Sequence, residues 1–149
     1  MSAATTYSAK VVRAAHARPL ARHIQTVSRV LMGFLFTMVG LNGFLNFLPQ
    51  PSSIPAGAMA FSGALLNTGY MFPLLMGAQL IAGVLLFANR FVPLALAILA
   101  PVVINIVAFH AFLSPSGLGM ALVVLVLEVY LAWSFRAAFR PMLSMKVGR

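Results

Sequence analysis

Apolar residues run along this chain in four long stretches, and short breaks rich in proline, glycine or arginine separate them. The first stretch, Val30 to Leu48, is uncharged. At about 1.5 Å per residue it reaches about 28 Å, close to the hydrocarbon thickness of a bilayer. Pro49, Pro51 and Pro55 stop it. The uncharged segment Ala56 to Gly69 mixes Met59, Leu65 and Leu66 with Ser62, Gly63 and Asn67, which predicts a short helix lying at the interface. Tyr70 to Ala88 is the second span, with Pro73 in its first turn, where the missing N–H goes unneeded. Asn89-Arg90 turns the chain into the third span, Phe91 to Leu113, in which Pro101 predicts a kink. Ser114 to Gly117 forms the next turn, and Leu118 to Phe135 is the fourth span, closed by Arg136, Arg140 and Pro141. The expected fold is an all-α integral membrane protein, a four-transmembrane-helix bundle with a short interfacial helix in its first outer loop.

Composition agrees with that pattern. Of 149 residues, 62% are hydrophobic and the mean hydropathy is +1.00, more apolar side chain than one soluble core of that size buries. Ten Lys and Arg stand against one acid, Glu128, giving a net charge of +9. Every basic residue (Lys10, Arg13, Arg18, Arg22, Arg29, Arg90, Arg136, Arg140, Lys146 and Arg149) falls at the chain ends or in the Asn89-Arg90 turn. Four spans place all of these on one side, so both termini are expected in the cytoplasm. The charge then meets anionic lipid headgroups, and nucleic acid is not expected as a partner because the apolar body carries no basic residue.

The domains expected are a basic cytoplasmic arm, 1–28, a membrane domain, 29–143, and a basic cytoplasmic tail, 144–149. The arm lacks the pattern of a secretory signal, since the apolar stretch after it is long enough to span. Being Arg-rich and acid-free, it also suits an organellar transit peptide. Trp133 and Tyr70 fall where aromatic rings favour the two interfaces. No cysteine is present, which excludes disulfides and thiolate metal sites.

Polar groups among lipid tails are costly, so those inside the spans are expected to face the bundle interior. Counted inward from the outer ends, His110 lies about 6 Å deep, Asn42 about 9 Å, Gln79 and Asn105 about 14 Å and Glu128 about 16 Å. Glu128 has no Lys or Arg at its depth and is expected neutral. It belongs to a stripe of mostly small residues, Gly117, Ala121, Val124, Glu128 and Ala132, which favours close approach of another helix. Gln79 and Gly83 share a face in the same manner.

Two readings of this polar band stand. In one, Glu128, Gln79 and Asn105 hydrogen-bond one another and fix helix register; in the other, they handle protons or bind a ligand. His110 has no second ligand three or four residues away, so no metal site is expected. It suits either a hydrogen bond to a carbonyl-bearing ligand or one to a backbone carbonyl near Ser114 or Pro115. Asn42 and Asn46 fall on one face, and Gly33, Gly40 and Gly43 beside Thr37 read as helix-packing surfaces.

Three segments together, Met76 to Leu86, Asn105 to Leu113 and Leu127 to Trp133 through Arg136, resemble the DoxX family of small four-span bacterial membrane proteins (DoxX/DoxD-like). The resemblance covers roughly Arg29 to Leu143. One departure is Gln79, where many relatives have an acid, and Glu128 is the candidate substitute. The resemblance implies a bacterial inner (plasma) membrane location and a link to membrane oxidoreductase systems, one of which oxidises thiosulfate with quinone as acceptor. No catalytic residue carries over.

The function expected is therefore an accessory or quinone-linked subunit of a membrane oxidoreductase system, without self-contained catalysis. A quinone headgroup would enter a cavity lined by Asn42, Gln79, Asn105, His110 and Glu128, with His110 near the mouth and Glu128 at the floor as proton source. A partner redox subunit would supply electrons, and quinone is the one cofactor expected. The alternatives are a non-catalytic scaffold or assembly protein, and a small-solute or proton pathway, which is weakened by the lack of polar residues toward the inner side. The quinone reading requires His110 and Glu128 to line one cavity. Without that, the scaffold reading takes its place.

Overall fold

The structure, a computed structural model, describes residues 3–49 and 53–140, with side chains from Leu20 onward. The 144–149 tail and the side chains of Lys10, Arg13 and Arg18 lie outside the described residues. All regular structure within them is helical: α1 (Ala3–Leu45), α2 (Ala56–Asn67), α3 (Met71–Phe87), α4 (Val92–Phe112), α5 (Leu118–Ser134) and the short α6 (Arg136–Phe139). A single 3-10 turn at Pro115–Gly117 joins α4 to α5.

Three segments are long and apolar enough to cross a membrane: Leu20–Leu45, Val92–Phe112 and Pro115–Ser134. The second expected span, Tyr70 to Ala88, is shorter than its sequence suggests. α3 has 17 residues, and it makes a span together with α2 only as a pair bent by 94°. α2 thus lies across the end of the bundle. α1 runs unbroken through the junction of the basic arm with the first apolar stretch, and α4 runs unbroken through Pro101. Around the bundle, Leu31, Phe34, Leu74, Ile81, Leu94, Ile104, Val123, Val126 and Val129 are exposed. Such a belt on every side is a surface for lipid, and the molecule is a multi-pass helical membrane protein.

The best-packed pair is α1 with α3, and glycine makes it so. A Cβ on Gly33 would stand 2.6 Å from the Phe87 nitrogen, and one on Gly40 would stand 2.5 Å from the Leu80 nitrogen. From the other side, a Cβ on Gly83 would collide with the backbone of Phe36 and Thr37. Backbone lies against backbone along this seam, as the small-residue spacing predicts. The Thr37 hydroxyl donates to the Gly33 carbonyl at 2.7 Å and so exposes no polar group to the seam.

Packing is tightest toward the Asn89–Phe91 turn, where Met32, Leu86, Leu96 and Leu131 are fully buried. The turn is abrupt. Asn89 and Phe91 both take positive φ, 55° and 51°, a conformation an aromatic residue rarely adopts. At the same end Arg29 is buried and donates through Nη1 to the carbonyls of Leu86 and Phe87 in the last turn of α3, the first of which also accepts the Asn89 N–H. At the opposite end, the helices part around a cavity.

Candidate functional site

The cavity has a volume of about 340 Å³ and draws walls from five helices. α1 contributes Leu35, Phe36 and Val39; α3 contributes Phe72, Leu75, Met76 and Gln79; α4 contributes Asn105, Ile106, Phe109 and His110; α5 contributes Met120, Ala121 and Val124. α2 closes the end with Phe61, Ser62 and Leu65. Phe61 is held there by Phe109, whose ring centroid lies 5.6 Å away. Apart from the Ser62 hydroxyl these α2 residues are apolar, and their three- and four-residue spacing marks them in the sequence.

Three of the five expected site residues meet in this space. Gln79 is buried, and its amide nitrogen makes two long bonds within its own helix, 3.4 Å to the Leu75 carbonyl and 3.9 Å to Met76 Sδ. Asn105 lines the same cavity from α4. His110 borders it near the α4–α5 turn, with Nδ1 3.0 Å from the Ser114 carbonyl. A carbonyl only accepts, so Nδ1 carries the proton and a neutral ring offers Nε2 as an acceptor. The ring stands edge-on to Phe109 and fills the space above Gly117. Of the two roles open to His110, the backbone-carbonyl bond is the one observed.

Asn42 is elsewhere engaged. Its Oδ1 accepts the Leu48 N–H at 2.7 Å, and Asn46 turns the chain with φ of 49°. The pair ends α1 by fixing a left-handed turn, so Asn42 does not line the cavity. The Asn-x-x-x-Asn spacing at the end of an apolar run is the signal for such a terminus.

Glu128 is the larger correction. It lines a second, shallower groove of about 260 Å³ between α4 and α5, with Leu96, Ala97, Ala100, Val103, Ile104, Leu125, Val129, Ala132 and Phe139. His110 and Glu128 therefore share no cavity. Seen around α5, Ala121 and Val124 face the first space, while Glu128, one turn further on, sits where the helix has closed against α4. Nor do Gln79, Asn105 and Glu128 bond one another: Glu128 Oε2 is buried with no hydrogen-bond partner.

No family, characterised protein or solved structure matches the chain. What the two spaces can do rests on their own chemistry. The larger one offers an apolar enclosure with two amides and an imidazole acceptor, and its volume lies at the lower end of the range for small-molecule sites. No carboxyl lines it, so it lacks the proton source that a quinone reduction site was expected to have. Among the described residues no three His, Cys, Asp or Glu side chains converge.

Proposed function

We propose that this chain is a DoxX-like accessory subunit of a bacterial plasma-membrane oxidoreductase assembly, without catalysis of its own, that holds a partner's transmembrane helix against α4 and α5. The observation that carries the reading is Glu128 Oε2, buried and without a donor beside an apolar groove. An unmade hydrogen bond in such surroundings costs about 1–3 kcal/mol. Ala97, Ala100 and Ala132 keep the groove shallow enough for a second helix to approach closely. Pro101 adds a second waiting group, since it has no N–H for the Ala97 carbonyl four residues before it. A partner helix with a hydroxyl, amide or amine at that depth would meet both needs. The basic residues support an orientation with this chain's termini in the cytoplasm.

Photocrosslinkers at Ile104 and Val129, which are exposed at the groove, test the reading in the native membrane. A protein adduct is expected at both and not at Val126, which is equally exposed but lies outside the groove, and Glu128→Leu should remove it. Lipid adducts alone at Ile104 and Val129 would overturn it.

The quinone reading expected from the sequence falls, because His110 and Glu128 share no cavity. A narrower second reading puts a quinol in the larger cavity as a bound ligand only, favoured by the convergence of Gln79, Asn105 and His110. In this form the ligand binds without being protonated there, and a hydroxyl of the reduced quinol suits the imidazole acceptor. Saturating quinol should raise the unfolding temperature of the wild-type chain but not that of Gln79→Leu. Equal shifts in both would remove this reading.

A further inference from the structure

Arg29 is 9% exposed and lies where α1 enters the bundle, yet the one acid of the chain lines a groove between other helices. Its Nη1 serves the end of α3, which leaves the other guanidinium nitrogens for something else. They border a cavity of about 300 Å³ lined by Arg22, Gln25, Thr26, Arg29, Asn89 and Phe135.

The first four of these residues stand at positions i, i+3, i+4 and i+7, one face of α1. Asn89 is brought to the same place by the left-handed turn between α3 and α4. Two guanidinium groups, two amides and a hydroxyl thus surround one space, and no carboxylate lines it. Guanidinium forks with supplementary neutral donors match the oxygens of a phosphate ester. The location narrows the source. Val27 and Leu31, exposed on the neighbouring face of α1, mark the start of the lipid-facing belt, and Phe135 gives the cavity an apolar wall.

We infer that this cavity is a binding site for a phosphate ester, and specifically for the headgroup phosphate of an anionic phospholipid whose acyl chains run along α1. The inference rests on the basic end of the bundle meeting lipid headgroups, but not on which leaflet that is. Arg29 has two tasks: it ties α1 to the end of α3, and it presents its remaining donors to the lipid. Bound there, the lipid bridges α1 and the α3–α4 turn.

Native mass spectrometry of the full chain in nonionic detergent, titrated with phosphatidylglycerol or phosphatidylcholine, tests this. One phosphatidylglycerol should be retained about tenfold more tightly than phosphatidylcholine, as expected for charge-assisted bonds to two guanidinium groups. Arg22→Gln changes an exposed residue for which no bond is seen among the described residues, and it should lose most of that preference. Arg90→Gln, equally basic but outside the cavity, should keep it. Equal losses in the two variants would mean diffuse attraction to a charged surface and would overturn the site. Inorganic phosphate that displaces the lipid and alone matches its thermal stabilisation would assign the cavity to a soluble phosphate instead. Because binding in detergent is independent of orientation, a failure here is separable from a failure of the proposed topology.

Discussion

The imidazole of His110 occupies the space that a side chain on residue 117 would need: a Cβ built on Gly117 overlaps the ring. The same ring is bonded to the Ser114 carbonyl, so the turn from α4 to α5 closes around it. Histidine and glycine here act as a matched pair, one filling the room the other leaves.

Gly117→Ala should therefore push the ring off Ser114 and lower stability by about 1 kcal/mol, the net worth of an ordinary hydrogen bond. Thermal unfolding in detergent reads this out. Gly119→Ala, two residues on, has open space around it and should be silent. Equal melting of the two variants would dissolve the pairing.

The α1–α3 seam gives a harsher prediction. Gly83→Val would thrust branched carbons into the backbone of α1, where nothing flexible can yield. Overpacking of this kind costs about 1–3 kcal/mol or more, and a loss of folded monomer is expected. Gly77 on the same helix has nothing within 4 Å of its Cβ position, so Gly77→Ala should fold as well as the wild type.

Glu128 separates stability from association. In the isolated chain Glu128→Leu removes a buried oxygen that has no partner and supplies apolar volume, so the melting temperature should hold or rise. Association with the partner subunit should fall at the same time. A destabilised isolated chain would mean that the carboxyl is already satisfied within the bundle.

The topology can be read chemically because the chain has no cysteine of its own. Ser53 and Ser116 are exposed at the end opposite the basic residues. Ser53→Cys and Ser116→Cys should react with an impermeant thiol reagent in intact cells, or in spheroplasts where an outer membrane intervenes. Arg90→Cys should react only after lysis. The reverse pattern would invert the protein in its membrane.

Much of this was legible in one dimension. Proline and glycine marked the ends of the apolar stretches because their backbone effects are local, and Gly33, Gly40 and Gly83 announced a close seam by spacing alone. Depth was also legible. It grouped Gln79, Asn105 and His110, which line one cavity, but with them Asn42 and Glu128, which do not, since a fixed rise per residue converts sequence position into height alone. Azimuth was not. Whether Glu128 turns toward the cavity or toward α4 depends on how α5 is rotated against its neighbours, and the sum of packing contacts decides that rotation. Asn42 failed for another reason: at a helix end its side chain competes for backbone N–H groups, and the Leu48 N–H captured it before any ligand could.

The sharp bend between α2 and α3 has a consequence for the surrounding bilayer. With 17 residues, α3 is about 26 Å long, whereas the 21 residues of α4 reach about 32 Å. The protein is thus thinner on one flank than on the other. Were α3 to cross alone, lipid beside it would have to compress, with α2 turned across the dimple. Such a wedge favours thin or curved membrane and resists tilting, because any tilt that relieves the long flank aggravates the short one.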